Sequence, residues 1–393
     1  MARGERGSAG RGGARRDLDR TLGLRDLTFI VVGTVIGSGI FIVPATVLQQ
    51  TGGTVGPALL VWLAGGALSI LGALTYGELG AARPRAGGLY DYVRDAFGPL
   101  PAFLYGWTLF FAIGSGSVAT LAVAAASYAQ QAAPISPGVA RLIGPALILL
   151  VAAINVRGTR HSAGVQTWAT LVKVGAIVAM SAALMLAGSP AAPQGETRVW
   201  PAGLTVGLVQ GAGLAMVGVL WAYEGWQYAT FSAGETVDPQ RTFPRAIVLG
   251  TTVLVGLYLV ANLAYVTALG ASAAAASERV AADAVAARFG PRAAAAIAAA
   301  IVVSMFGAAN GVTLTASRAY YAMARDGLFF RRLGEVHPRF GTPALSVVAS
   351  SAWAMVLAAT GTFEQLLTYV VFVGWIFYAL GAGAVFVLRR RQP

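Results

Sequence analysis

Apolar runs of some twenty residues recur along all 393 residues of the chain, and nothing constrains its fold more. Ten can be marked, at 27–49, 57–80, 100–132, 140–156, 162–188, 205–234, 244–270, 292–323, 343–360 and 363–388. A helix needs about 20 such residues to cross a bilayer core. Because lipid offers no hydrogen bonds, a crossing segment must satisfy its own backbone, which favours helices. Only 11% of the residues are charged, against about 25% in soluble domains. The expected fold class is therefore an all-α integral membrane protein of ten spans, with little chain left over for a soluble domain.

Two of the ten runs are broken near mid-depth. In the first, Gly33-Thr34-Val35-Ile36-Gly37-Ser38-Gly39-Ile40-Phe41 puts glycines where a helix needs them least. In the sixth, the apolar run meets Trp221-Ala222-Tyr223-Glu224-Gly225-Trp226-Gln227. Breaks in spans 1 and 6 of ten suggest two five-span halves, about 27–188 and 205–388. Five is odd, so the halves insert in opposite orientations, the inverted-repeat plan of many secondary transporters. Gly33 and Gly37 also form a GxxxG pair suited to close helix packing, so the first break alone is open to either reading. The second break turns the balance toward a binding site.

An opened span 1 has a defined chemistry. The half starting near Ser38, Gly39 and Ile40 would present free N–H groups and a positive dipole end, which suit a carboxylate. The half ending near Val35 and Ile36 would present free carbonyls, which suit an ammonium. Carbonyls of Trp221, Ala222 and Tyr223 would add to the second set. A carboxylate and an ammonium one or two bonds apart describe an α-amino acid.

Charge reports topology. The formal net charge is +12, but most of the Lys and Arg fall on the tail before residue 27 and on loops sharing its side, such as Arg83 to Arg94, Arg241 and Arg245, and Arg325 to Arg339. The opposite loops hold only Arg141, Arg198, Arg279, Arg288 and Arg292. This is the positive-inside pattern. It predicts a cytoplasmic N-terminus and argues against a nucleic-acid partner. Residues 1–26 read as a disordered basic tail. The apolar segment after it is full length and leads into further spans, so no signal cleavage is expected. An Ala-rich stretch between Ala271 and Pro291 reads as an outer helix.

Two charged side chains lie deep inside spans. Glu224 is a costly intramembrane carboxylate that suits a cationic group, a coupling proton or the backbone of the break itself. Lys173 sits about ten residues into span 5, roughly 15 Å deep, and needs partners such as span-1 carbonyls or the hydroxyls of Ser304 and Thr313. It would act as a titrating group or as a fixed cation joining spans 1, 5 and 8. Trp221, Tyr223, Trp226 and Tyr228 are candidate pocket walls, whereas Trp62, Trp107 and Trp353 read as interfacial anchors. Glu78 with Arg83 and Arg318 with Asp326 read as loop-positioning pairs. The chain has no Cys, which removes disulfides and thiol chemistry, and only His161 and His337. No metal site, cofactor or nucleophile–base pair is legible, so an enzyme is not expected.

Five strings carry a family resemblance: GTVIGSGIFIVP in span 1, YGELGAARPRAGGLYDYVRDAFGP after span 2, INVRGTRHSAGVQTWATLVKVGAI across spans 4 and 5, WAYEGWQYATFSAGETVDPQRTFPRAI across span 6, and NGVTLTASRAYYAMARDG ending span 8. Together they resemble the amino acid–polyamine–organocation permeases, nearest the bacterial L-type amino acid transporter-like members, across most of the chain. The resemblance implies a LeuT-type 5+5 fold with discontinuous helices 1 and 6. It implies that backbone N–H groups of Ser38, Gly39 and Ile40 bind the substrate carboxylate, with Gly37 beside them in the substrate set, and that carbonyls of Val35, Ile36, Trp221 and Glu224 hold the amine, with Trp221 as aromatic gate. Ala222, Tyr223 and Trp226 complete the expected substrate set. Lys173, with Ser304 beside it, falls at the position sodium takes in Na⁺-coupled relatives, which disfavours sodium coupling. The family usually has twelve spans where ten stand here. Many eukaryotic L-type members have Gly where this chain has Glu224. A disulfide-linked glycoprotein partner, used by some relatives, is not expected without cysteine.

The expected function is secondary active transport of amino acids by alternating access, through proton symport or exchange, in a bacterial cytoplasmic membrane. A cationic amino acid or polyamine antiporter is the alternative that Glu224 suggests. A membrane sensor that binds amino acids without moving them is another.

Overall fold

The computed structural model describes residues 20–187 and 198–391. Eight helices in it are long and apolar enough to cross a membrane, and a bent pair supplies a ninth crossing. Span 1 is that pair, Leu24–Val35 and Gly39–Gln50, bent by 46°. Spans 2 to 5 are Val55–Ala82, Pro99–Ala132, Pro137–Val156 and Thr159–Leu186. Span 6 runs as an α-helix over Val206–Ala222, opens, and continues as a 3₁₀ helix over Trp226–Glu235. Spans 7, 8 and 10 are Pro239–Leu269, Pro291–Arg325 and Phe363–Arg391. Span 9, Ala344–Thr360, is a shorter apolar helix.

Both broken helices fall where the glycines predict. Ile36 is extended, at ψ 92°, so the ladder of span 1 stops one residue before Gly37. Gly225 has φ +132°, a conformation that L-residues with side chains rarely adopt, and it lets span 6 change from α to 3₁₀. The same glycines bring the breaks together. A Cβ on Gly39 would lie 2.4 Å from the Ala222 Cα, and one on Gly225 would lie 2.9 Å from the Thr34 carbonyl carbon. Each break therefore presses its backbone on the other helix.

The surrounding packing follows the repeat. Span 2 lies along span 7 and span 3 along span 8, pairs that correspond when spans 1–5 are matched to 6–10. The Ala-rich stretch after span 7 forms two short helices, Ala271–Ala275 and Val280–Phe289, against spans 1, 7 and 8. On the side of the N-terminus, an amphipathic helix, Leu89–Phe97, lies between spans 2 and 3. Its Arg94 pairs with Asp91 at 3.0 Å and also with Asp326 beyond span 8.

Several expectations need correction. Of the tail expected over residues 1–26, residues 1–19 lie outside the described part. Leu22, however, is buried, and its carbonyl accepts from Val237 N–H at 2.9 Å, so order begins before Leu24. Trp62 is not an anchor at the interface. It is fully buried, edge-on to Tyr223 and Tyr258 at 5.8 and 5.7 Å. Glu78 pairs with Arg389 at 2.5 Å, while Arg83 takes Asp95. Arg318 pairs with Glu235 at 3.1 Å and leaves Asp326 to Arg94. Sequence neighbours lose to partners that helix packing brings closer.

Gly39→Ala is expected to cost about 1–3 kcal/mol, since overpacking meets backbone rather than a movable side chain. Gly164→Ala, on an exposed helical position with nothing within 4 Å, should be neutral or stabilising by up to about 1 kcal/mol. Thermal unfolding in detergent reads both, and equal shifts would contradict the backbone contact.

Candidate functional site

Opening a helix at mid-depth frees amides on one side and carbonyls on the other, and the two sets meet different fates. The carbonyl side is capped by the protein. Lys173 Nζ donates to the carbonyls of Gly33 at 2.8 Å, Ile36 at 2.6 Å and Ser304 at 2.8 Å. Ser304 Oγ donates to Ile36 O at 3.1 Å, and Tyr258 Oη reaches Val35 O at 3.4 Å. Lys173 is 1% exposed and pairs with no carboxylate among the described residues. Its three protons are matched by three carbonyl oxygens, so the ammonium ties span 1 to spans 5 and 8.

The amide side is not capped. Among the described residues, the N–H groups of Gly37, Ser38, Gly39 and Ile40 find no acceptor, and the ladder resumes only at Phe41, which donates to Ser38 O at 3.1 Å. Four amides at the start of the second half-helix carry its positive dipole end. In span 6, the carbonyls of Ala222, Tyr223 and Glu224 accept no hydrogen bond among the described residues, and of the three only Glu224 lines the space between the breaks. Trp221 O is already used by Glu224 N–H at 2.9 Å.

Between the breaks lies a small cavity of about 20 Å³, room for about one water molecule. Of the residues singled out in the sequence, Val35, Gly37, Ser38, Gly39, Trp221, Glu224 and Tyr228 line it. Trp221 Nε1 donates to Ser38 Oγ at 3.3 Å and joins the two breaks at one end. Glu224 Oε1 accepts from Tyr378 Oη at 2.5 Å and Gln227 Nε2 at 2.6 Å, while Oε2 accepts nothing among the described residues. Tyr228 Oη is buried and has no hydrogen-bond partner among the described residues.

Other expected members stand elsewhere. Trp226 faces span 2, edge-on to Tyr76 at 5.2 Å. Tyr223 stacks among Trp62 and Tyr258. Ala222 is the surface Gly39 packs on. Ile40 is fully buried away from the cavity lining, although its amide is free. Both lone pairs of the Ile36 carbonyl are taken by Lys173 and Ser304, which removes it as an acceptor for an amine. Ser304 meets Lys173 through its carbonyl rather than its hydroxyl, and Thr313 takes no part in holding the ammonium. Sequence reading missed Thr34, Ser117, Leu121, Gly225 and Val312 in the lining, and Tyr378 behind Glu224. Ser117 and Leu121, one turn apart in span 3, follow a Gly114-Ser115-Gly116 stretch that reads equally as close helix packing.

Nine apolar crossings with a shorter tenth helix, two opposed breaks and a small cavity between them define a secondary-transporter fold. A solved Na⁺-coupled sialic acid symporter, in a substrate-bound outward-open state, has the same fold, with a TM-score of 0.65 at 11% identity over 94% of this chain and 80% of that one. Residues 22–393 match the amino acid permease family model, and the chain belongs to that family. It is 33% identical over 389 residues to the human b(0,+)-type amino acid transporter 1, covering 95% of this chain and 76% of the relative. It is 31% identical over 377 residues to the serine/threonine exchanger SteT of Bacillus subtilis, covering 95% and 84%.

Lys173→Met removes the ammonium and leaves three carbonyls at the break without their donor. Charged hydrogen bonds contribute about 1.5–3 kcal/mol each, so a loss of at least about 3 kcal/mol is expected in detergent unfolding. An unchanged unfolding curve would show that the break is held by something else.

Proposed function

We propose that this protein moves amino acids across the membrane by alternating access, as an exchanger or a proton symporter. The observation that carries this reading is the one-sided capping of span 1. Free amides of Gly37, Ser38 and Gly39 in the cavity lining suit the α-carboxylate, and the free carbonyl of Glu224 in the same lining suits the α-ammonium. Membership of the amino acid permease family supports the same reading, as do relatives whose names describe amino acid transport and serine/threonine exchange. No covalent chemistry is involved.

The side of the N-terminus is assigned to the cytoplasm, because Arg83, Arg85, Arg94, Arg241, Arg245 and Arg389 to Arg391 all lie on it. The proposed location is a bacterial cytoplasmic membrane. Sodium is not proposed as the coupling ion, since the Lys173 ammonium fills the carbonyl cluster and would repel a second cation. Purified protein in vesicles preloaded with unlabelled amino acid should take up labelled amino acid by counterflow, without sodium. Binding without counterflow would favour the sensor reading, and absence of both would sink the proposal. Under proton symport, an imposed inward pH gradient should raise uptake. Equal rates with and without it would leave exchange and make Lys173 a fixed structural cation.

A second reading has its own observation. Glu224 is a buried carboxylate with no cationic partner among the described residues, and its Oε2 is unengaged beside the cavity. A cationic side chain would complete it. Glu224→Gln keeps the shape and removes the charge. It should weaken a cationic substrate by about tenfold or more, the scale of a charge-assisted hydrogen bond, and leave neutral amino acids nearly unchanged. An unaltered competition profile would exclude this reading.

A further inference from the structure

A second cavity is far larger than the one between the breaks. It lies between spans 3, 4 and 9, toward the side opposite the N-terminus, and measures about 580 Å³. That is within the range of about 300–1,000 Å³ for small-molecule sites. Its walls are Ala122 and Ala126 of span 3, Ala140 and Gly144 of span 4, and Ala358 and Ala359 of span 9. Side chains this small cannot fill the space between three helices. From Gln130 to Ala122 the cavity follows span 3 for eight residues, about 12 Å of helix. Ser127, Gln130 and Arg141 are its polar members that face solvent or lipid, so the cavity is a groove open at that end.

Arg141 is the unusual residue of this groove. Arginines gather on the side of the N-terminus, as the charge rule requires, yet this one stands on the opposite side. It lies one turn into span 4 from Pro137, about 6 Å from the helix end, at the level of lipid headgroups. Its guanidinium forms no hydrogen bond or ion pair among the described residues, and no acidic residue lines the groove. The groove therefore carries one unpaired positive charge at its mouth and an apolar floor below.

We propose that this groove holds one phospholipid of the leaflet opposite the N-terminus, with its phosphate on Arg141 and one acyl chain between spans 3, 4 and 9. Charge complementarity carries the assignment, because a guanidinium meets two phosphate oxygens with two parallel N–H groups. Below Arg141 the lining offers Ala, Val, Gly and Pro. A buried water needs two to four polar partners, which that part of the groove lacks. An acyl chain supplies the dispersion contacts that empty space forfeits. A transmembrane helix, about 10 Å across and 30 Å long, is several times too large to be seated in it. The lipid reaches the substrate cavity only from behind, since Ala122 of the groove follows Leu121 of the cavity lining. It packs against span 3 and touches no substrate.

The test uses the full chain in alkyl maltoside micelles, which carry no phosphate. Phosphatidylglycerol with a photoreactive group in one acyl chain is added, irradiated, and its attachment sites are mapped by mass spectrometry. Labelling should concentrate around Ala126, Gly144 and Ala358, and exceed that at Leu149 and Leu150, exposed residues deeper on the same span 4. Arg141→Gln should lower groove labelling about fivefold, the scale of one Arg–headgroup contact near a membrane surface. Ala126→Phe should lower it by filling the groove while Arg141 stays in place. Diacylglycerol with the same photoreactive group should label the groove no more than it labels Leu149 and Leu150. Equal labelling of groove and Leu149 by phosphatidylglycerol, or no change in both variants, would overturn the proposal. Competition by inorganic phosphate alone would show an anion site without a lipid and overturn it as well. Because the chain has no cysteine, Arg141→Cys tests a second copy: disulfide-linked dimers on mild oxidation would place that copy in the groove instead of a lipid.

Discussion

The structure depends on how a broken helix is satisfied where no water is available. Leaving backbone groups unpaired at membrane depth costs several kcal/mol each. Here the carbonyl ends of the span-1 break are taken up by a single ammonium, Lys173, through Gly33, Ile36 and Ser304. That settles half of the cost and fixes the break against spans 5 and 8. The amide ends at Gly37 to Ile40 stay open, and Gly37, Ser38 and Gly39 line the cavity shared with span 6. One side of the break is structure, and on the proposed reading the other is left for the substrate.

The asymmetry explains why the glycines stand where they do. Gly39 and Gly225 do more than permit a turn, because each admits the other helix's backbone at a distance no side chain tolerates. Gly37, Ser38 and Gly39 of one break and Glu224 and Gly225 of the other thereby line a single small cavity. Beyond it, interactions are arranged by depth. Trp221 with Ser38 joins the breaks at one end, Glu224 reaches span 10 through Tyr378, and Glu235 pairs with Arg318 toward the end on the N-terminal side.

Much of this was legible because it is local. Apolar length marks the spans, and glycine against an apolar background marks the breaks, so both discontinuous helices and the depth of Lys173 follow from the chain itself. What was not legible depends on which helix faces meet. Trp62 looks like an interfacial anchor until spans 6 and 7 supply Tyr223 and Tyr258. Arg318 has Asp326 nearby in sequence, yet its partner is Glu235, eighty-three positions away. Trp226 belongs to the broken segment but turns to span 2, because the 3₁₀ path after Gly225 rotates it off the cavity. Ile36 carries the backbone signature of a ligand carbonyl, and only the position of Lys173 shows that the protein uses it.

The central claim is that the two breaks recognise the two charged ends of an α-amino acid. The most direct measurement is displacement of a bound labelled amino acid from the purified protein by two analogues with the same side chain, the amine without the carboxylate and the acid without the amine. Each is expected to bind at least about tenfold more weakly than the amino acid, since each forfeits charge-assisted hydrogen bonds to one break. An amine that displaces the label as well as the parent amino acid would contradict the assignment of the Gly37 to Gly39 amides to the carboxylate.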